Sequence, residues 1–288
     1  MPHVSNRPTF ASHPIKVVAR TARSLATGVG LGLILWVGGC GASKSGSPIG
    51  LATPGGWADE MSVDIENDLG EVSIQVDERL TAPLVYVRRF GEFGGDPIDA
   101  QGVSITREGG SSGQTLKVVA QRVTYPAAAS FLRPGRRALS IEIRTPRVFG
   151  VIVQNSGGRV LLGGVGGPIQ VNNGIGADHS VTSGSKFADR ARVVVRTSQP
   201  MREPIDITSG DGGIELEIPQ DSDLELAVAG AKGRPTVFAP MAGFTQVRND
   251  PAAWSATLGD GSAPAQLKAS GGPVRIEITS VKTRRPPR

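Results

Sequence analysis

Pairs of apolar residues separated by one other residue recur along this chain at intervals of nine. The pairs Val151/Val153, Val160/Leu162 and Ile169/Val171 are three in succession. Alternation with a period of two is typical of a β-strand with one buried face. Nine residues accommodate a strand of about five residues and a turn of about four. Because similar pairs continue from residue 59 almost to the C-terminus, we predict an all-β protein built of short strands.

Glycine, asparagine and serine mark the connections between these strands. Clear examples are the segments 67–70, 155–158, 163–167 and 209–213. Glycine and asparagine supply the positive φ that tight corners need. These turns are longer than a two-residue hairpin and rich in glycine, which favours a coiled solenoid with each strand stacked on one a coil away. An antiparallel β-meander or sandwich is the alternative, because it too gives strand–turn–strand units of nine residues.

The segment 139–176 (LSIEIRTPRVFGVIVQNSGGRVLLGGVGGPIQVNNGIG) has a strand ending in Thr-Pro, followed by repeated strand–Asn/Ser–x–Gly–x–Val units. Residues 206–219 and 268–278 contain further units, and 63–76 has the form of an opening unit. In these features residues 60–280 resemble the β-strand-repeat domains of unknown function of the putative-adhesin type. The resemblance implies a right-handed parallel β-helix-like fold on an exported or membrane-attached bacterial protein, and no known catalytic residue.

The first 39 residues have the order of a secretory signal peptide. Residues 1–24 are polar, with four basic and no acidic residues, and residues 25–37 (LATGVGLGLILWV) are uncharged and mostly apolar. As a helix, these 13 residues would span about 20 Å, short of the ~30 Å hydrocarbon core of a bilayer. The pattern therefore predicts a cleaved export signal rather than a permanent membrane span.

The single cysteine of the chain directly follows this segment. The sequence Val37-Gly38-Gly39-Cys40 resembles the lipobox of bacterial lipoproteins, although Val37 and Gly38 depart from the usual Leu and Ala or Ser. The resemblance implies cleavage between Gly39 and Cys40 and acylation of Cys40, in which each buried CH₂ contributes ~0.8 kcal/mol to the membrane anchor. The alternative is a plain signal peptide followed by an unmodified cysteine.

These patterns divide the chain into five segments. They are a lipoprotein signal peptide (1–39), a flexible tether rich in Gly, Ser, Ala and Pro (40–58), an N-terminal β-strand region (59–147), a Gly-rich β-repeat region (148–281) and a basic tail (282–288). We expect export and lipid anchoring to a bacterial membrane. Gly41, in place of an aspartate after the cysteine, indicates the outer membrane or cell surface if the host has two membranes.

The net charge of +5 does not point to nucleic acid as a partner. Of 31 basic residues, four lie in 1–39 and four in 282–288, so the body between them carries 23 basic and 26 acidic residues. A nucleic-acid-binding domain needs a basic face on its folded part. We therefore expect no nucleic-acid partner.

Few residues offer catalytic or cofactor chemistry. His179 is the one histidine beyond the signal segment, and the chain has no nucleophile-elbow or P-loop motif. Asp211, Asp221 and Asp223 lie in predicted turns, which aspartate favours through its own side chain. Calcium binding and a glycoside-cleaving carboxylate pair are the alternatives. We expect no catalytic, cofactor-binding or metal-binding residue.

Five aromatic residues and one arginine-rich loop complete the candidates. We predict core packing for the aromatic residues, which are Trp57, Tyr86, Tyr125, Phe131 and Trp254. The segment 123–137 interrupts the strand pattern and contains Arg133, Arg136 and Arg137. We predict that this segment is a solvated loop. The alternative is a contact site for an anionic glycan or lipid surface.

Together these features predict a non-enzymatic envelope lipoprotein with an adhesive or structural role. Its expected partners are the membrane, through the lipid anchor, and an envelope glycan or other envelope proteins. The rival hypotheses are a polysaccharide-acting enzyme on a β-helix and an assembly or signalling partner of envelope proteins.

Overall fold

A computed structural model describes residues 49–51, 53, 57, 61–68, 70–90, 102–110, 113–120, 138–174, 192–210, 212–231, 233–239, 243–250 and 253–280. Strands and turns account for almost all of the secondary structure of these ranges, with a single 3₁₀ residue at Gly102, which confirms the predicted all-β class. The strands are β1 (Ile49–Leu51), β2 (Met61–Asn67), β3 (Val72–Val76), β4 (Leu84–Phe90), β5 (Val103–Gly110), β6 (Gly113–Ala120), β7 (Ala138–Thr145), β8 (Phe149–Asn155), β9 (Val160–Asn173), β10 (Val193–Thr197), β11 (Ile205–Ser209), β12 (Ile214–Pro219), β13 (Leu224–Ala229), β14 (Thr236–Phe238), β15 (Phe244–Asn249), β16 (Ala253–Leu258), β17 (Ala263–Ala269) and β18 (Val274–Thr279).

The strands pair in two ladders that share the long strand β9. Ladder A has the order β1-β4-β7-β3-β9-β10-β12-β18-β14. Ladder B has the order β5-β6-β2-β8-β9-β11-β17-β13-β16-β15. The first residues of β9, from Val160, pair in ladder A, and its last residues, Ile169–Asn173, pair in ladder B.

Parallel pairing occupies the middle of both ladders, and antiparallel pairing occurs at both ends of ladder B and at the β1 end of ladder A, whereas the β18–β14 end of ladder A is parallel. The antiparallel pairs are β1–β4 and β4–β7 in ladder A, and β5–β6, β13–β16 and β15–β16 in ladder B. The sheet is therefore mixed, and neither ladder closes on itself among the described strands. The sheet therefore matches neither predicted alternative alone, an all-parallel solenoid or an antiparallel meander, because antiparallel strands extend a parallel centre.

The chain alternates between the ladders in a regular way. Seven parallel strands of ladder B, in spatial order β6, β2, β8, β9, β11, β17 and β13, are each followed along the chain by a strand of ladder A. Those followers are stacked in the same order, as β7, β3, β9, β10, β12, β18 and β14. The nine-residue spacing is thus half of the stacking repeat: Val151 pairs with Ile169, two units later, while Val160 lies in the other ladder.

Alternating apolar residues of both ladders form a single hydrophobic cluster. In β11 and β12, for example, Ile205, Ile207, Ile214 and Leu216 are at most 1% exposed, and the residues between them are more accessible. A substitution that truncates such a side chain typically costs about 2–5 kcal/mol. The period-two pattern therefore has one cause throughout: one face of each strand joins the shared core and the other faces outward.

Three asparagines at the ends of ladder B strands form an internal hydrogen-bonded row, which we call the asparagine row: Asn67, Asn155 and Asn173. They are paired in register and at most 4% exposed. Asn67 Nδ2 donates to Asn155 Oδ1 at 3.1 Å, and Asn155 Nδ2 donates to Asn173 Oδ1 at 3.0 Å. Asn155 and Asn173 also donate to the carbonyls of Gly70 and Gly158 in the turns that lead to ladder A. The Asn–x–x–Gly turns of the sequence are thus tied to one another across the stack.

Two of these turns require glycine because the backbone of a neighbouring segment passes very close to them. Gly158 has φ +114°, and a Cβ built on it would collide with the carbonyl oxygen of Gly70 in the stacked turn. Gly70, with φ +138°, meets the carbonyl of Leu139 in the same way. A side chain at either position would therefore push neighbouring turns apart.

Candidate functional site

Outward side chains on one end of ladder A line a groove of about 610 Å³. The groove crosses three neighbouring strands, β4, β7 and β3. Its lining includes Ser73 and Gln75 of β3, Tyr86 and Arg88 of β4, and Glu142 and Arg144 of β7. Val85, Val87, Ile141 and Ile143 alternate with these residues and are at most 1% exposed. The core therefore fixes the backbone on which the groove is built.

Tyr86 is held beside the groove by contacts on both sides of its strand. Gly50 of β1 is its register partner on one side, and a Cβ built at Gly50 would lie 3.5 Å from Tyr86 Cε1. Arg144 Cζ lies 5.7 Å from the centroid of the Tyr86 ring, within the range of a cation–π contact. The ring thus lies beside Gly50 of the neighbouring strand and contacts a guanidinium.

Two ion pairs stand in the groove, each between residues two apart in sequence. Arg79 Nε and Nη2 donate to the two oxygens of Asp77, both at 2.8 Å. This hydrogen-bonded pairing lowers the pKa of Asp77 from 3.8 to about 2. Arg144 Nη2 lies 2.7 Å from Glu142 Oε1, and the hydrogen bond to Glu142 raises the pKa of Arg144. Each carboxylate therefore has an adjacent guanidinium as its partner.

Arg88 and Glu71 are the remaining charged residues of the groove lining. In the described residues, neither side chain has an ion-pair or hydrogen-bond partner. Ser140 lies between them: it is the register partner of Arg88, and its Oγ accepts a hydrogen bond from the backbone N–H of Glu71 at 3.2 Å. Two strand spacings separate β4 from β3, which is about 10 Å. Among the residues that the structure describes, the groove thus presents one unpaired guanidinium, on β4, and one unpaired carboxylate, beside β3.

The outer face of ladder A continues beyond the groove as further ion pairs. Glu215 accepts from Arg192 and lies 3.6 Å from Arg196 Nη2, while Arg196 Nε lies 3.1 Å from Glu217 Oε2. On β18, Arg275 Nη2 lies 2.9 Å from Glu277 Oε2. These charged residues are spread along the face as neighbouring pairs, which is the arrangement of a hydrated surface.

The outer face of ladder B mixes charged side chains with amides and hydroxyls. One register row contains Glu66, Gln154, Asn172, Thr208 and Lys268, and the adjacent row contains Asp64, Gln170 and Asp206. Lys117 of β6 forms ion pairs with Asp64 and Glu66. Two large apolar side chains on β8 are also accessible: Phe149 is 52% and Ile152 is 41% exposed. Both outer faces therefore carry ion pairs, and that of ladder B adds amides, hydroxyls and two accessible apolar side chains.

Many residues singled out in the sequence lie outside the described residues. These are Gly39 and Cys40, His179, Asp211, Tyr125, Phe131, the three arginines of 123–137 and the tail 282–288. Their predicted roles stay predictions.

Asp221 and Asp223 are described, and their surroundings differ. Asp221 is exposed in the turn between β12 and β13. Asp223 Oδ2 lies 3.1 Å from Arg202 Nε, and its Oδ1 accepts from the backbone N–H of Asp260 at 3.3 Å. Asp223 thus ties two turns together, in agreement with the predicted turn role.

The aromatic prediction is confirmed in part. Trp254 is 8% exposed and makes an edge-to-face contact with Phe244, with ring centroids 6.0 Å apart. Trp57 is partly buried against the core. Core packing was the wrong prediction for Tyr86, which lies on the outer face. The alternation of the strand indicates this outward position, because Val85 and Val87, on either side of Tyr86 in the sequence, are buried.

Within the described ranges, no three His, Cys, Asp or Glu side chains gather closely enough to hold a metal ion. Those same ranges contain no helix of the length and apolar character that crossing a bilayer requires.

Comparison with known proteins gives two structural likenesses. No family model matches the chain, and no curated protein sequence matches it. The crystal structure of a putative cell adhesion protein from Clostridium sporogenes aligns with a TM-score of 0.43 and 11% identity, covering 81% of this chain and 100% of that one. The crystal structure of a putative adhesin from Bacteroides fragilis aligns with a TM-score of 0.26 and 9% identity, covering 81% of this chain and 96% of that one.

Proposed function

We propose that this protein is a lipid-anchored cell-envelope protein that uses the outer faces of its strand ladders for adhesion, without catalysis. The signal-like segment 1–39, the lipobox-like sequence ending in Cys40 and the tether 40–58 support export and anchoring. The strand ladders support the contact role, because their outer faces extend across many strands and are backed by a continuous core.

The distribution of charge on ladder A is the observation that carries this proposal. A hydrolytic site needs carboxylates that converge on one reacting bond. Here Asp77, Glu142, Glu217 and Glu277 each contact an arginine, and Glu215 contacts two. Such pairs leave a polar and nearly neutral surface, which suits reversible contact with a hydrated partner better than bond cleavage.

We also propose that the parallel centre is a right-handed β-helix-like solenoid. Each coil would consist of one ladder B strand followed by one ladder A strand. The identical stacking order of the seven strand pairs supports this arrangement. The glycine-rich turns then form the corners between the two faces.

A single substitution at the anchor tests the proposed function. Cells of the native host that carry the full chain are compared with cells that carry Cys40→Ser, with Ser45→Ala in the tether as the matched control. We expect the native chain and the control to partition into detergent and to promote attachment to a surface or neighbouring cells. Cys40→Ser should leave the detergent phase and lose attachment.

Each alternative gives a distinct result. Unchanged detergent partition of Cys40→Ser would contradict the lipid anchor. Retained anchoring without any effect of the protein on attachment would contradict adhesion and favour an assembly partner of other envelope proteins.

A further inference from the structure

The groove on ladder A has the size and rigidity of a ligand site. Its volume of about 610 Å³ falls in the range of about 300–1,000 Å³ that is usual for small-molecule sites. Its floor consists of strands whose inward residues are fully buried, as Val85 and Ile143 show. Side chains mounted on such strands keep their spacing without a partner, which lowers the cost of binding.

Most of the backbone of the groove floor is used in strand pairing. β4 lies between β1 and β7 at Val85–Val87, β7 between β4 and β3, and β3 between β7 and β9. A peptide cannot add a strand at these residues, since that mode needs an open sheet edge. Recognition across the centre of the groove therefore goes through side chains.

The groove lining contains equal numbers of positively and negatively charged side chains. Three arginines, Arg79, Arg88 and Arg144, face three carboxylates, those of Glu71, Asp77 and Glu142. The groove lining is therefore neutral overall. A bound anion would approach the three carboxylates and a bound cation the three guanidinium groups, so either would meet repulsion as well as attraction.

The unpaired groups set the recognition pattern. Among the described residues, Arg88 presents unpaired N–H donors and Glu71 presents unpaired acceptor oxygens, on and beside strands whose backbones are about 10 Å apart. Ser140 lies between them and Ser73 of β3 follows Glu71, so both supply hydroxyls, and the Tyr86 ring borders the groove with an apolar surface. A ligand that fits must donate and accept hydrogen bonds at several points, carry no net charge and present some C–H surface.

We propose that this groove binds a neutral, hydroxyl-rich saccharide of two or more rings, with Arg88 and Glu71 bonded to hydroxyls on opposite sides and Tyr86 against a ring face. This inference deepens the proposed adhesive function and names its ligand class. The groove would then be the adhesive contact, and the rest of the outer face of ladder A would remain hydrated.

Direct binding tests the proposal on the mature protein, extracted from its own membranes in a polyoxyethylene detergent that contains no sugar. The probes are neutral hexose and N-acetylhexosamine oligosaccharides, with uronic-acid and sulfated oligosaccharides for comparison. We expect a neutral probe to bind, with an affinity that changes less than about twofold between low and high salt, because no net charge is screened. An anionic ligand would instead lose affinity steeply with salt.

Three variants locate the site. Arg88→Gln and Tyr86→Ala should each weaken binding by about tenfold, roughly the loss of one good hydrogen bond or of one ring contact. Gln170→Ala on the outer face of ladder B is the control and should bind as the native protein does. Since all three positions face outward, the unfolding midpoint of each variant should stay near the native value, which separates lost binding from lost folding.

Two results would overturn the proposal. One is binding that is confined to anionic probes, or the absence of binding to every neutral probe at millimolar concentration. The other is neutral binding that Arg88→Gln and Tyr86→Ala leave unchanged. Either outcome, with detergent partition still dependent on Cys40, would reject the groove as the saccharide site and leave the anchored adhesive function standing.

Discussion

Removing the central amide of the asparagine row should destabilise the protein strongly. Asn155 makes three side-chain hydrogen bonds: it accepts from Asn67 at 3.1 Å, and it donates to Asn173 at 3.0 Å and to the Gly70 carbonyl at 3.1 Å. At about 0.5–1.5 kcal/mol for each bond, Asn155→Ala should lower the free energy of unfolding by about 3 kcal/mol. That is a large share of the ~5–15 kcal/mol that stabilises a typical protein.

Urea unfolding followed by circular dichroism measures this change, with the free energy taken from the midpoint and slope. Gln154→Ala is the matched control, because Gln154 precedes Asn155 on the same strand and faces solvent. Its free energy of unfolding should stay within about 0.5 kcal/mol of the native value. A loss below about 1 kcal/mol for Asn155→Ala, or one equal to that of the control, would refute the reasoning.

Asn155→Asp separates hydrogen bonding from packing at the same position. The ionised carboxyl has no N–H to donate to Asn173 or Gly70, and its charge would be buried where Asn155 is 3% exposed. At neutral pH this variant should therefore be less stable than Asn155→Ala. Acidification that protonates the carboxyl should recover part of the loss. A variant that is as stable as the native protein at neutral pH would show that the row is open to water.

Three further predictions follow from the row, the turns and the groove. Ala120 pairs in register with Asn67, whose buried Oδ1 lacks a partner among the described residues. The hydroxyl introduced by Ala120→Ser should donate a hydrogen bond to that oxygen. The free energy of unfolding, measured in urea, should then rise by about 1 kcal/mol. Gly158→Ala should cost about 1–3 kcal/mol in the same assay because of its positive φ and the neighbouring carbonyl, and a native-like midpoint would contradict the close stacking of the turns. The pKa of Asp77 is lowered from 3.8 to about 2 in the folded chain, so its pair with Arg79 stabilises the fold above pH 3.8 and this contribution is lost as the pH falls towards 2; carboxyl NMR titration should return a pKa near 3.8 in Arg79→Ala.

Strand identity was predictable because the apolar alternation directly reflects burial. The three apolar pairs that recur every nine residues all lie in strands, and both members of each pair are buried. These pairs are Val151/Val153, Val160/Leu162 and Ile169/Val171. The distribution of strands between two ladders was not predictable in detail. The same spacing fits a strand that pairs with its successor and one that pairs two units later, and only long-range contacts decide between them.

The terminal hairpins and the asparagine row illustrate what the residue pattern alone leaves open. Antiparallel pairing of β5 with β6, or of β15 with β16, depends on chain reversal that the alternation does not encode. Asn67 and Asn155 were interpreted as turn formers, which they are, but their side chains turn inward and bond across the stack. The sequence does contain an indication of this, because each asparagine is the last residue of a strand and continues its every-second-residue series of buried positions.

The groove was missed for a related reason. Aromatic residues are usually assigned to the core because of their large apolar area. Tyr86 instead lies on the outward-facing side of β4, beside Gly50 on the neighbouring strand. The neighbouring strands were distant in sequence, so the meeting of Arg88, Ser140 and Glu71 required the register of three strands.

We propose that this protein reaches the cell envelope and is held there by lipid on Cys40. Mass spectrometry of the mature protein, purified from its native membrane and digested to release the N-terminal peptide, tests it directly. The account predicts a peptide that begins at Cys40 and carries the mass of a diacylglyceryl group. A mature chain that begins at another residue, or an N-terminal Cys40 without acyl chains, would contradict it.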